Sequence, residues 1–229
     1  MVSPPGVSIL REVPIFTELD DESLDVIMGM TVRRTFTKNT MIVIEEAQAD
    51  TLYIIESGSV KITRLNEDGR EVILALLGPS EFFGEMALLD GQGRSANVMA
   101  LEDTVLFNLI RRDFLDVLSR FPSISIQLLR EMTLRLRKSD EQIKSLSLSD
   151  AEHRIGITLH RIAEDMGTFK MGEVVIRKLP YQQDIANMAG TSRETVSRML
   201  KHLEARGLME RDGRRLTIHD YASFSRIFG

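Results

Sequence analysis

Residues 181–206 read YQQDIANMAGTSRETVSRMLKHLEAR, and their spacing decides the fold of the C-terminal third. Ile185, Ala186 and Met188 mark a short helix that stops at Gly190. Thr191 opens a second helix, in which Val196, Met199, Leu200 and Leu203 recur at i, i+3, i+4 and i+7 as one apolar stripe. Two short helices joined by a glycine-containing turn are a helix-turn-helix. Thr191 and Glu194 have the spacing of a capping box, so the second helix is expected to start there. Its other face carries Arg193, Glu194, Ser197, Arg198 and Lys201. Arginine matches the guanine major-groove edge with two hydrogen bonds, and glutamate accepts from the cytosine amino group. An ordinary solvated face has the same composition. The concentration at the helix N-terminus, where recognition helices reach base edges, favours double-stranded DNA. Downstream, GLMERDGRRLTIHD (207–220) reads as two strands around Asp212 and Gly213, a wing with Arg214 and Arg215 at its tip as phosphate contacts.

Before this domain, LSLSDAEHRI (146–155) marks a boundary. Asp150 can cap a helix beginning at Ala151, which leaves a polar hinge at Ser147 to Asp150. From Pro122 to Ser149 the pattern is one long helix. Leu129, Met132, Leu136, Ser139, Ile143 and Leu146 alternate spacings of three and four, a heptad seam that suits pairing with a second copy. A homodimer is expected. Ser139 is the one polar member, either a register-setting position or a contact to something bound between the two chains.

Earlier still, MIVIEE, TLYIIES, GSVKITRL, REVILALL, RSANVMAL and TVLFNLI follow one another with turn signals between them. Six short strands at this spacing predict a sandwich or jelly-roll barrel, preceded by an amphipathic helix over Asp21 to Met30. Within this region residues 84–96 read GEMALLDGQGRSA. Gly84, Gly91 and Gly93 permit tight turns and a close approach of backbone to a ligand. Amides at the start of a short helix suit an anion, and Arg94 could add a forked clamp on phosphate. Glu85 repels a simple phosphate but suits a ligand with hydroxyls beside its phosphate, as a ribose has. The plain alternative is a surface loop with a Glu–Arg ion pair.

The chain has 229 residues, 43% hydrophobic and 28% charged, as a globular protein of one large or two ordinary domains would. The absence of cysteine excludes a disulfide framework, a thiolate zinc site and a cysteine-ligated iron–sulfur cluster. MVSPPGVSILREV at the N-terminus has no basic flank and long apolar run, and no stretch reaches the ~18 residues of a membrane span. A cytoplasmic location is expected. The net charge of −5 argues against non-specific coating of nucleic acid. Residues 150–229 nevertheless hold 13 Lys and Arg against 11 Asp and Glu, and residues 1–149 hold 16 against 23. No Ser/His/Asp set, metal cluster or Walker loop appears, so an enzyme is the weakest reading.

Two motifs identify a family. FGEMALLDGQGRSANV (83–98) resembles the phosphate-binding cassette of cyclic-nucleotide-binding domains, and TSRETVSRML (191–200) resembles the recognition helix of the cAMP-receptor branch. Over nearly its whole length the chain resembles the cAMP receptor protein / fumarate–nitrate regulator superfamily of bacterial transcription regulators. The resemblance implies an α+β protein: a cyclic-nucleotide-binding β-roll (jelly roll) over 1–121, a dimerisation helix and hinge over 122–149, and a winged helix-turn-helix over 150–229. It implies cAMP as allosteric effector, a homodimer, and RNA polymerase as a partner.

Site roles follow from the same resemblance. Glu85 would take the ribose 2′-hydroxyl, and Arg94 and Ser95 the cyclic phosphate, with backbone amides near Gly84 and Met86. Arg135 falls where the family has an arginine near the pocket, and Ser139 and Asp140 where it has a Thr–Ser pair on adenine. Asp140 departs from that pattern, because an ionised aspartate accepts from the adenine amino group but cannot donate as serine does. At Asp140 the adenine preference that the Thr–Ser pair carries is not transferred. Arg193, Glu194 and Arg198 match base-reading residues of a TGTGA-like half-site, beside Thr191, Ser192 and Lys201, and Gln183 matches a phosphate contact. Iron–sulfur sensors are disfavoured by the lack of cysteine. Haem sensors need an axial ligand in the sensor domain, whereas His153, His160, His202 and His219 all lie beyond the long helix. The alternative kept open is a regulator of the same fold with another effector or with constitutive DNA binding.

Overall fold

The computed structural model describes residues 5–229; residues 1–4, the start of the segment read above as lacking a leader, lie outside them. The chain divides into two compact units, one up to Arg137 and one from Lys138 to Gly229, and the division falls inside the long helix.

The first unit opens with α1 (Pro5–Glu12), a 3-10 turn (Pro14–Phe16) and α2 (Asp21–Gly29). Asp20 caps α2 by accepting from the Ser23 N–H at 2.9 Å. Then come β1 (Val32–Phe36), β2 (Met41–Val43), β3 (Thr51–Ser57), β4 (Val60–Leu65), β5 (Glu71–Leu77), β6 (Phe82–Phe83), α3 (Glu85–Asp90), β7 (Asn97–Ala100), β8 (Thr104–Ile110), α4 (Arg111–Arg120) and α5 (Pro122–Leu148). The strands form two antiparallel four-stranded sheets, in the orders β1-β8-β3-β6 and β2-β7-β4-β5.

Alternation along β3 explains the layering. Leu52 and Ile54 point into a core with Phe16, Leu24, Ile27, Phe107, Phe114, Val117, Ile124 and Leu128, so the helices cover that face of the first sheet. Tyr53 and Ile55 point the other way, into a second core with Val43, Val60, Leu77, Phe83, Val98 and Leu106. β3 is thus covered on both faces, which is why TLYIIES reads as an apolar run. Several elements escaped the sequence reading, β1 and α4 among them. β1 (VRRTF) is exposed at four of its five positions and shows no apolar alternation, and α4 had been passed over between a strand and the long helix.

The second unit holds the end of α5, α6 (Ala151–Met166), β9 (Thr168–Lys170), β10 (Glu173–Ile176), α7 (Gln182–Ala189), α8 (Arg193–Ala205), β11 (Met209–Asp212), β12 (Arg215–Ile218) and α9 (Tyr221–Phe228). Asp150 caps α6, accepting from the His153 N–H at 2.8 Å, as its position predicts. One sheet, ordered β11-β12-β10-β9, sits beside four packed helices, α6 to α9. The buried Val196, Met199, Leu200 and Leu203 stripe of α8 meets Ile155, Leu159, Ile185, Leu216 and Phe224. The wing strands pair in register, Met209 opposite Ile218 and Asp212 opposite Arg215, with the turn at Gly213. Glu204 accepts two hydrogen bonds from Arg211, at 2.8 and 2.7 Å, which join the end of α8 to the wing. Those bonds hold the Glu204 carboxyl below its ordinary range.

Candidate functional site

α3 begins at Gly84, whose φ of 89° lies in the left-handed region that glycine alone adopts freely. Space demands glycine as well: a Cβ there would come within 2.6 Å of Arg94 Nη1 and 3.0 Å of the Thr51 carbonyl oxygen. The tight turn brings Glu85 inward until only 3% of it is exposed. Glu85 Oε1 accepts from Arg135 Nη1 at 2.9 Å. Arg135 reaches it from α5, donates through Nη2 to the Phe82 carbonyl at 2.8 Å, and lies 4.6 Å from the Phe82 ring centroid. Glu85 Oε2 is buried with no hydrogen-bond partner among the described residues. Leaving such a group unsatisfied costs about 1–3 kcal/mol, and more for a charged one.

Arg94, 6% exposed, stands on the other side of Gly84. It donates to the Gly84 carbonyl at 3.0 Å and the Thr51 carbonyl at 2.8 Å, 5.5 Å from the Tyr53 ring. Its backbone is pinned by Glu46 and Ala47, through bonds of 2.8 and 3.0 Å. Its hydrogen-bond partners are neutral groups, and among the described residues it pairs with no carboxylate. A buried cation without a counter-charge is costly. The plain alternative of a Glu85–Arg94 ion pair is therefore excluded, because Glu85 pairs with Arg135. The cradle offers one uncompensated cation and one open acceptor, the complement of an anion that also carries hydroxyls. Ser95 lies at the exposed rim, its Oγ 3.7 Å from Met86 Sδ, and Met86 is itself exposed.

Ser139 and Asp140 sit on α5, four and five residues beyond Arg135, and belong to the second unit. The contributions of Thr51, Tyr53 and Phe82 escaped the sequence reading. Two of them act through backbone carbonyls, which no side-chain pattern marks.

On the second unit, α7 closes at Gly190 with φ 62°. Here the capping-box expectation needs correction. The cap is Ser192, whose Oγ accepts from the Thr195 N–H at 3.2 Å, and α8 starts at Arg193. Thr191 is held back in the turn because its own N–H bonds the Ala186 carbonyl at 3.1 Å. Glu194 is thereby released from a capping role. Arg193, Glu194, Arg198 and Lys201 are all exposed, and Gln183 at the start of α7 is exposed with its amide donating to Asn187.

The two wing arginines differ in their surroundings. Arg215 is exposed, but Arg214 donates through Nε to the Leu179 carbonyl at 2.9 Å and stacks 4.3 Å from the Tyr181 ring centroid. Arg214 therefore braces the wing against the start of α7. Changing Arg215 to Ala is expected to weaken binding to all DNA sequences alike and to lower the slope of log affinity against log salt by about 1. Changing Arg214 to Ala should lower the thermal midpoint instead. Equal salt slopes for the wild type and the Arg215 variant would exclude a phosphate contact there.

The heptad seam is also only partly free. Leu129, Leu136 and Ile143 are 67, 63 and 62% exposed. Met132 packs on the helical core of its own unit, and a Cβ on Gly190 would lie 3.0 Å from Leu146 Cδ2. Steps of three and four residues place alternate seam positions in two rows about 50° apart around the helix, and the row of Met132 and Leu146 is the one turned toward its own chain. No group of three or more His, Asp or Glu among the described residues could hold a metal ion, and no helix among them is long and apolar enough to cross a membrane.

Comparison with known proteins agrees with this arrangement. Residues 33–121 match the cyclic nucleotide-binding domain, and residues 153–227 the Crp-like helix-turn-helix domain. The cyclic AMP receptor protein of Thermus thermophilus is 34% identical over 87% of this chain and 89% of its own. The solved catabolite activator protein of Thermus thermophilus is 33% identical, with a TM-score of 0.55 over 93% of this chain and 97% of that one. The solved c-di-GMP-responsive global regulator CLP of Xanthomonas campestris is 26% identical, with a TM-score of 0.72 over 87% and 99%. The relatives are transcription regulators rather than enzymes.

Proposed function

Because the chain belongs to the cAMP receptor protein / fumarate–nitrate regulator family of transcription regulators, we propose that it is a homodimer whose affinity for palindromic DNA is set by cAMP. The family's cyclic-nucleotide domain and DNA-binding domain are both present; the effector, the dimer and the DNA sequence are our reading. One observation carries it: the open Glu85 Oε2 beside the uncompensated Arg94. A ribose 2′-hydroxyl donates to the first, and the cyclic phosphate neutralises the second. Ser95 and the amides near Gly84 and Met86 complete the phosphate contact, and Arg135 holds the Glu85 carboxylate in place. Ser139 and Asp140 would meet the base. The partners would be a second copy, double-stranded DNA and RNA polymerase, in the cytoplasm, with no metal, haem or iron–sulfur cluster.

Asp140 favours keeping a second reading, in which the same pocket takes another effector; the likeness to a c-di-GMP-responsive regulator supports it. Calorimetry with cAMP and with c-di-GMP separates the two. Heat of binding for cAMP alone supports the first reading, and for c-di-GMP alone the second.

Arg193, Glu194 and Arg198 are expected to select TGTGA-like half-sites facing their inverted repeats. A two-fold dimer presents its recognition helices one helical turn apart, so the half-sites should be centred about 10–11 base pairs apart. Arg198→Ala should cost about 1–3 kcal/mol and relax the preference for guanine at one position. Random-site selection checks this, and a consensus without TGTGA would overturn the assignment of these contacts.

A further inference from the structure

Arg154, on the first turn of α6, spends its guanidinium on three backbone carbonyls from two other parts of the fold. Nη1 donates to Ser149 at 2.9 Å, Nε to Ala189 at 2.9 Å and Nη2 to Gly190 at 3.0 Å. Ser149 is the first residue past α5, while Ala189 and Gly190 form the end of α7 and the turn into α8. The last carbonyls of a helix lack partners within it, and a cation there also meets the negative end of the helix dipole. Leu146 adds a second contact between the same two segments, its Cδ2 lying where a Cβ on Gly190 would meet it at 3.0 Å. The hinge, the first turn of α6 and the turn of the DNA-binding motif therefore converge on one side chain.

A guanidinium is a planar fork with donors at fixed angles, so three simultaneous bonds fix the orientation of what they hold. We propose that Arg154 is a positioning residue that carries the orientation of the end of α5 to the recognition helix α8. A shift at the end of α5 then moves α8, and without Arg154 only the apolar Leu146 contact, which fixes no angle, still links the two. This rests on α8 reading DNA under nucleotide control. Lysine in its place keeps the charge, but a single ammonium cannot hold three carbonyls in one plane.

The chain has no cysteine, so spin labels can be placed without background. Labels at Lys144→Cys on α5 and His202→Cys on α8, in full-length chain diluted with unlabelled chain, report the distance between the two helices. The wild-type background should give one narrow distance, and Arg154→Gln and Arg154→Lys a distribution clearly broader. In unlabelled protein, cAMP should still bind both variants as it binds wild type. The factor by which cAMP raises DNA affinity should fall about fivefold or more, the lower end of usual coupling. Distributions as narrow as wild type in both variants would overturn the proposal. So would equal loss of DNA affinity with and without cAMP, which marks a merely structural role. If Arg154→Gln does not fold, Arg154→Lys carries the test. If cAMP leaves wild-type DNA affinity unchanged, the nucleotide reading fails, and the width of the distance distribution still decides the role of Arg154.

Discussion

With Leu136 and Ile143 both changed to glutamate, the protein is expected to sediment as a monomer. These side chains lie seven residues apart on α5 and leave more than half of their surface in water within one chain. Full burial of such a side chain is worth about 1.5–3 kcal/mol. A two-fold interface uses each residue twice, so four side chains, each with some three-fifths of that burial still to gain, contribute about 4–7 kcal/mol. At 1.4 kcal/mol per factor of ten, losing it weakens the dimer by roughly three to five powers of ten. Four glutamates facing one another add repulsion. Because both positions are exposed in the single chain, each chain should fold as before. Met132 would be a poor choice, since it packs on its own chain, and Leu146, although 55% exposed, also lies against Gly190. A double variant that remains dimeric would mean that the chains pair through another surface.

Arg94→Ala should lower cAMP affinity by roughly ten- to a hundredfold. The lost contact is a hydrogen-bonded charge pair with phosphate, worth about 1.5–3 kcal/mol. The same change strands the Gly84 and Thr51 carbonyls, so the thermal midpoint should fall too. Arg94→Lys separates the two effects, because it keeps the charge and loses the fork. Calorimetry on both variants checks this, and affinity equal to wild type in Arg94→Ala would place the ligand elsewhere.

Much of this was legible in the sequence where a local rule governs the outcome. The stripe on α8, the stop at Gly190, the Asp150 cap and the wing turn at Gly213 each follow from a residue type at a defined place. The limits are equally local. Thr191 and Ser192 are both good caps, and only the bond from the Thr191 N–H to Ala186 chooses between them. β1 carries Arg33 and Arg34 on an exposed edge, so no burial pattern marks it. In the pocket, Glu85 and Arg94 stood out by type and spacing, Arg135 only through the family resemblance, and the carbonyl partners not at all. Arg135 comes from 50 residues away, and Thr51 and Phe82 contribute carbonyls that every residue possesses. Arg214 reads as a free wing-tip cation until folding brings Leu179 and Tyr181 beside it.

The central claim is that a cyclic nucleotide in the first unit controls DNA binding by the second. Only a ligand with different affinities for two arrangements of the protein can shift that equilibrium. The direct measurement is the affinity of the wild-type chain for a DNA duplex carrying a TGTGA palindrome, titrated at fixed salt with and without saturating cAMP. The account predicts tighter binding with cAMP, by about 5- to 150-fold. Affinity for the palindrome that is the same with and without cAMP would contradict it.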